Sequence, residues 1–461
     1  MIFNSYEFLF IFLPVFFILF YYLINKGRQS YAVFLIAIAS VIFYSLENLN
    51  FLWILILSIS FNYFIGEMII RKNLSKFFLF IGIFFNLSLL IYYKYTIFFL
   101  NSLISFTELS LAVPNIVLPI GISFYTFTQL AFLIDAYNNK SRHYTFTEYI
   151  SFVTFFPHLI AGPILIHRHF IPQLRKTNFG KPTNNRIYAG LVFFCIGMFK
   201  KVMIADSISP VVGVLFDNSF YLTTLEAWTA CFLYTIQLYY DFSGYSEMAV
   251  GLALMMNVKI PINFNSPYKA NSIIDFWRRW HISLSYFLKE YLYFPLGGSR
   301  KGFYRKYFNL LFTMIIGGIW HGAGFTFLIW GIMHGMFLCI NHMSRYIKIV
   351  INKNVSWLIT FLSVSISWVV FRAENIGNAW EIISSMFGLR NFSFESSHIS
   401  NIEFYVIFII IFIFWLKNAP NTRQLAITRK TSYLVSGFCS VILYLSILNF
   451  NEVTEFIYFQ F

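Results

Sequence analysis

Charge is scarce in this chain. Only 11% of its 461 residues are Asp, Glu, Lys or Arg, where an average soluble domain carries about 25%. So little polar surface excludes a water-soluble fold of this size, and the mean hydropathy is +0.68. Cysteine is scarcer still. Cys195, Cys231, Cys339 and Cys439 stand far apart, each within an apolar run and without a CxxC pair. That spacing argues against a disulfide framework or a thiolate metal centre and leaves core packing. GxxxxGK[ST], HExxH and GxSxG are all absent, so nucleotide hydrolysis, metalloprotease chemistry and an esterase elbow find no support, and no metal is expected. The first apolar run lacks a short basic leader and a small-residue cleavage site, so it is expected to stay in the mature protein. Neither a fixed-period repeat nor a low-complexity linker divides the sequence. A single integral-membrane domain over 1–461 is expected, with 450–461 as an aromatic tail.

What is present is apolar and aromatic: 58% hydrophobic residues, 22% Phe, Trp and Tyr. A helix needs about 20 mostly apolar residues to cross roughly 30 Å of hydrocarbon. Phe8 to Ile24, Ala32 to Tyr44, Phe51 to Ile70, Phe77 to Tyr93, Ile187 to Ile204 and Trp228 to Met255 come near that length, several falling short in a way that suggests tilt. So do Leu310 to Ile340 in two pieces, Trp357 to Phe371, Phe404 to Leu416 and Tyr433 to Leu448. These stretches predict an all-α polytopic membrane protein of about 11 transmembrane helices. Lys26 and Arg28 follow the first span, Arg71, Lys72 and Lys76 follow the third, Arg345, Lys348 and Lys353 precede Trp357, and Arg423, Arg429 and Lys430 precede the last span. Positive residues mark cytoplasmic loops, which places both chain ends outside. The net charge of +14 is explained better by that rule than by nucleic acid.

Two stretches break the pattern. Between Phe152 and Ile171, and between Pro261 and Arg305, Pro, Gly, His and charge interrupt the apolar residues. Irregular backbone survives at membrane depth only where it is buried in protein or lines a cavity, so these segments predict re-entrant or in-plane helices around a site. Ionisable residues there read as functional. The most informative is His321 in GGIWHGAG, with Gly317 and Gly318 before it and Gly322 and Gly324 after it, which lets a backbone or a ligand come close. The second is DFWRRWHISLS, Asp275 to Ser285. As one helix it sets Trp277 and Trp280 on one face and Arg278 and His281 on the neighbouring stripe, the pattern of an interfacial amphipathic helix with Trp anchors. In PLGGSRKG, two readings stand for Gly297, Gly298, Ser299, Arg300 and Lys301. They form either an anion-binding concavity of backbone amides with added charge, or a plain turn with positive-inside residues.

WRRWHISLS and GGIWHG occur together with SFYTFTQLAFLIDAY, FFPHLIAGPI, YYDFSGYSEMAVGLA and YFPLGGSRKG. In this combination and order the sequence resembles the bacterial branch of the membrane-bound O-acyltransferases, the branch that serves alginate, peptidoglycan and teichoic acid. The resemblance covers most of the chain. It implies a helical ring around a thin central partition, with a cytosolic acyl donor on one side and an acceptor outside. His321 matches the catalytic histidine of the family and His281 its second histidine. The donor is expected to be acetyl-CoA, a substrate rather than a resident cofactor, and its phosphates are assigned to Arg278, Arg279, Gly297, Gly298, Ser299, Arg300 and Lys301. His158 falls in the FFPHLIAGPI motif and His334 in a Met-His-Gly turn. His143, His167, His169, His342 and His398 receive no role.

The chain ends in TEFIYFQF. In the related teichoic-acid system a small partner with an aromatic C-terminal tail receives the acyl group on tyrosine, and this tail looks like such a segment fused to the acyltransferase. Tyr458 is then an intramolecular acceptor, while an aromatic belt at the outer interface is the alternative. The expected function is transfer of acetyl across the bacterial cytoplasmic (inner) membrane for O-acetylation of an envelope polysaccharide. An extracytoplasmic SGNH-type acetyltransferase is the expected partner, alongside the polysaccharide and membrane lipid. Peptidoglycan is favoured, with alginate or another exopolysaccharide as alternatives. Two other classes are a non-covalent transporter or flippase, against which the lack of internal repetition counts, and a non-catalytic scaffold, which would not need His321 among glycines.

Overall fold

The computed structural model describes residues 1–71, 75–107, 112–428 and 433–450. Lys72, Arg429 and Lys430 of the orientation clusters lie outside the described residues, as does 451–461 of the tail, with Tyr458. Every regular element among the described residues is helical, and no strand occurs among them. Seven helices there are long and apolar enough to cross a membrane: Phe8–Asn25, Gln29–Glu47, Leu49–Ile70, Ser75–Thr107, Asn184–Asp217, Phe325–Tyr346 and Lys353–Arg372. Tyr433–Leu448 is apolar but shorter.

Two of these helices run well past their expected ends. The sequence windows end at Tyr93 and Ile204, just before Lys94 and Asp206, charges that are costly in an apolar helix. The structure carries both helices through those residues on π-turns at Ile91–Tyr95 and Lys200–Asp206. Lys94 is buried with its Nζ 3.4 Å from Ser123 Oγ. Lys201 Nζ lies 2.7 Å from Asp206 Oδ1 and 2.7 Å from Asp241 Oδ1, all three side chains being buried. A charge so paired no longer obliges the helix to end, and Asp241 of the YYDFSGYSEM motif thereby finds its place.

The chain forms two compact units that alternate along the sequence. The first holds Met1–Met198, Tyr245–Ile262 and Thr422–Phe450; the second holds Phe199–Gly244 and Asn263–Asn421. In the first, helix Ile122–Tyr137 is buried along nearly its whole length. Polar side chains tie it and its neighbours together: Asn62 and Asn86 exchange hydrogen bonds of 3.2 and 2.6 Å, and Gln129 Nε2 donates to Ser58 Oγ at 2.9 Å. Such bonds between helices in lipid contribute about 0.6 kcal/mol each on average. The FFPHLIAGPI histidine has a structural bond, His158 Nε2 donating to the Phe152 carbonyl at 3.1 Å. His167 bridges Asp135 and the Tyr144 hydroxyl, at 3.1 Å on each side.

The second unit contains the helical hairpin Phe303–His321 and Phe325–Tyr346. These helices touch through their backbones. A Cβ added at Gly318 would sit 2.4 Å from the Phe327 carbonyl oxygen, and one at Gly331 would sit 2.6 Å from that of Met314. The close approach foreseen beside His321 is therefore made by a second helix.

Glu226, on the first turn of helix Thr224–Met255 and ahead of its apolar stretch, pins a turn of the same unit. Its carboxylate accepts from Ser396 Oγ at 2.8 Å, from the Ser397 and His398 amides at 2.9 and 2.8 Å, and from the Thr223 amide at 3.0 Å. His398 Nδ1 stands 3.2 Å from both oxygens, a structural duty for a histidine left without one. Burial pushes the Glu226 carboxyl up. The Thr223 and His398 amides, the Ser396 hydroxyl and the His398 ring outweigh that and take it down to about 2. A carboxyl depressed on folding adds stability that is complete above its unfolded value, about 4.3, and is lost as pH falls through the folded value. Amide exchange at Ser397 and His398, corrected for intrinsic rate, is expected to stay slow from neutral pH down to about 4 and to quicken towards 2. Glu226→Gln is expected to quicken it already at neutral pH; equal protection in that variant would count against the pinning.

Candidate active site

The Asp275 to Ser285 stretch does not form the single helix its pattern predicts. It folds as two short helices, Ile273–Trp277 and Ile282–Leu288, with a break across Arg278 to His281. At the break, the backbone also bonds to another segment: Asn265 N–H donates to the Arg279 carbonyl at 3.0 Å, and Ile282 N–H to the Asn263 carbonyl at 2.9 Å. Ser283 Oγ adds a bond to Asn263 Oδ1 at 2.6 Å. His281 sits in the left-handed region at φ +41°, unusual for a residue with a side chain. His281 is wholly buried and Arg278 exposed, so they do not share a stripe as the helical reading expected.

His321 is the last residue of its helix and 3% exposed. Rings enclose it: Trp320 at 5.0 Å, Trp330 at 5.2 Å and 87°, Phe371 at 5.3 Å and 77°. The His281 ring lies 6.4 Å away, and Phe242 packs edge-on against His281 at 4.7 Å. The fold thus brings together the two histidines that lie forty residues apart in sequence. An enclosure of this kind excludes bulk water and strengthens every polar interaction inside it.

A further histidine, to which the sequence reading gave only a place in a turn, braces this enclosure. The Trp277 indole N–H donates to His334 Nδ1 at 3.3 Å, so the ring proton is on Nε2. That nitrogen donates to Ser367 Oγ at 2.9 Å, and the Ser367 hydroxyl donates to the Val364 carbonyl at 2.7 Å. Trp330 packs against both His321 and His334, the latter at 4.7 Å. The chain of bonds links three helices behind the His321 ring. Nothing local in the sequence announces it, because the partners are far apart. His334→Leu would orphan the buried Trp277 N–H at a cost of about 1–3 kcal/mol, and is expected to lower turnover at saturating donor with little change in KM. His334→Gln can accept from Trp277 and donate to Ser367, so it should recover most of the rate. Equal turnover in all three proteins would remove the bracing role.

The remaining expected site residues divide. Arg279 Nε lies 3.0 Å from both Asp275 oxygens, and its Nη1 donates to the Asn265 carbonyl at 3.3 Å, so its charge is committed beside its own helix. Gly297 and Gly298 both have positive φ, +105° and +58°. The amides of Gly297, Gly298 and Arg300 donate to the carbonyls of Phe294, Tyr293 and Gly297 at 2.9, 2.9 and 3.1 Å. Asn309 Nδ2 closes the turn by donating to the Gly298 carbonyl at 2.9 Å. The three backbone N–H groups are spent on the end of the preceding helix and on the turn itself, as in the second, plainer reading of this turn. Ser299, Arg300 and Lys301 are exposed. Tyr458 lies outside the described residues. No group of three or more His, Cys, Asp or Glu placed to hold a metal occurs among the described residues.

The sequence pattern of the membrane-bound O-acyltransferase family matches residues 106–344, a range that takes in the His281 break, the glycine turn, His321 and His334. A peptidoglycan O-acetyltransferase of Helicobacter pylori is 40% identical over 426 residues, 85% of this chain and 81% of that protein. A probable alginate O-acetylase of Pseudomonas aeruginosa is 41% identical over 416 residues, 87% of this chain and 78% of that protein. A teichoic acid D-alanyltransferase of Bacillus subtilis is 28% identical over 265 residues, 53% of this chain and 63% of that protein.

Proposed function

This chain belongs to the membrane-bound O-acyltransferase family, and from that premise we propose that it moves an acetyl group from cytosolic acetyl-CoA through the membrane to Tyr458 of its own tail, for O-acetylation of an envelope polysaccharide outside. The observation that carries the proposal is the placement of His321: buried, at a helix end, enclosed by Trp320, Trp330 and Phe371, with His281 beside it.

A hydroxyl is a weak nucleophile at neutral pH, so a base must take its proton as it attacks. In the proposed step the Tyr458 oxygen attacks the thioester carbonyl carbon while His321 accepts the phenol proton. The C–S bond then breaks, the new C–O bond remains, and His321 returns the proton to the departing thiolate. The products are an acetyl-tyrosine and free coenzyme A. Only neutral imidazole can begin this cycle, and burial away from water favours that form.

Acetyl-CoA cannot cross the bilayer with its phosphates, and an acyl-tyrosine removes the need. A phenol with a pKa near 10 is close as a leaving group to a thiol near 8.5, so the aryl ester keeps much of the transfer potential of the thioester. A separate outer enzyme then moves the acetyl from the phenol oxygen to a sugar hydroxyl and restores the tyrosine. The similarity to a peptidoglycan O-acetyltransferase supports peptidoglycan as the polymer. The test is full-length protein in liposomes with radiolabelled acetyl-CoA, followed by proteolysis. Label is expected on the peptide that holds Tyr458, and label confined to another peptide would refute the carrier step.

A further inference from the structure

The turn at Gly297 and Gly298 spends its amides internally and Arg279 is committed to Asp275, so three of the seven residues expected at the donor's phosphates are engaged elsewhere in the fold. Arg278, a fourth member of the seven, is grouped instead with basic residues at the ends of two other helices. Arg278 directly follows helix Ile273–Trp277, Lys306 lies on the first turn of Phe303–His321, and His342 and Arg345 lie towards the end of Phe325–Tyr346.

Side chains fasten these three helix ends together. Arg345 Nη2 donates to Ser272 Oγ at 3.3 Å, and Ile274 N–H donates to Asn341 Oδ1 at 3.3 Å. Cys339 Sγ contacts the Tyr307 carbonyl at 3.7 Å, and the Phe303 and Tyr346 rings meet at 5.7 Å. In that arrangement the charges of Lys306, Arg345 and Arg278 all act on the His342 imidazole. Among the described residues no carboxylate forms an ion pair with any of the three cations; Asp275, the acid of the adjoining helix, is taken by Arg279. Like charges gathered without an acid repel one another, and an anion with several charges is what relieves them. Guanidinium forks match phosphate oxygens two at a time, while an ammonium adds a point charge.

We propose that Arg278, Lys306, His342 and Arg345 form the binding site for a ligand carrying two or more phosphates, the soluble donor of the acyl group. This rests on the acyl-transfer reading above. The helix from Lys306 to His321 rises about 22 Å at 1.5 Å per residue. A donor held at the cluster therefore needs a long slender arm between its phosphates and the reacting carbonyl, the build of a pantetheine thioester. An anionic lipid headgroup has the same phosphate chemistry without that arm.

The experiment titrates adenosine 3′,5′-bisphosphate, which has the phosphates but no arm or acyl group, onto purified full-length protein. Arg278→Gln, Lys306→Gln and Arg345→Gln are each expected to weaken binding by roughly tenfold, as for loss of one charge-assisted bond. Arg278→Lys and Arg345→Lys should restore most of it, and Lys26→Gln, on a different loop, should change nothing. In turnover the three Gln variants are expected to raise KM for acetyl-CoA with kcat nearly constant. Bisphosphate binding that is unchanged in all three overturns the site. So does a loss confined to phosphatidylglycerol in nanodiscs, which would give the cluster to a lipid headgroup. Wild-type protein that transfers acetyl while all three variants keep the wild-type KM sinks the site alone. Wild-type protein that transfers none, yet binds the bisphosphate through these cations, sinks the acyl-transfer reading and supports the phosphate site.

Discussion

His321→Ala is expected to abolish transfer of the acyl group while the protein still inserts and folds. A positioned general base contributes about 10²–10⁴-fold to rate, and no other described imidazole is placed to take over at the same point: His281 is a ring-to-ring distance of 6.4 Å away on a strained backbone, and His334 is bonded on both nitrogens. Alanine also empties space among Trp320, Trp330 and Phe371, so a loss of stability would confuse the result. His321→Phe separates the two effects, because it refills the enclosure with a ring and supplies no base. Both variants should elute as folded protein in size-exclusion chromatography and leave no alkali-labile acetate on the polymer. Acetate at the wild-type level in either variant would dismiss His321 as the base.

Tyr458→Phe is expected to have an effect as large, by a different route. Phenylalanine keeps an apolar ring, worth on the order of 1.5–3 kcal/mol where such a ring is fully buried, and removes only the oxygen that the proposed relay acylates. Joining acceptor and catalyst in one chain raises the effective concentration of that oxygen. Purified Tyr458→Phe should take no label from acetyl-CoA and should leave the polymer unacetylated. Tyr458→Ser is expected to behave differently: its hydroxyl can be acylated slowly, but an aliphatic ester holds less transfer potential, so label would stay on the protein. Unimpaired acetylation by Tyr458→Phe would reduce the tail to an interfacial anchor.

The helical architecture was legible in the sequence for physical reasons, and His281 was singled out beside His321 by the resemblance to the family. Apolar length announces a span, and a buried histidine between glycines is costly enough to need an explanation. What could not be read are features whose partners come from elsewhere in the chain. The break at Arg278 to His281 has helical periodicity, and the Asn263 and Asn265 backbone shares in its hydrogen bonds. Lys94 and Asp206 look like helix ends until Ser123 and Lys201 are seen beside them. His334 owes its meaning to Trp277 and Ser367. The glycine turn misled in the opposite sense. Its residues suit an anion cradle, but the preceding helix needed those amides first.

The contact between Gly318 and Gly331 also bears on motion. With no side chain between them, the two helices meet backbone to backbone, and a packed interface of this kind has discrete positions rather than a continuous range. The hairpin that carries His321 is therefore the stator of the machine. In the proposed cycle the travelling part is then the acyl carrier, which must reach the base, load and withdraw.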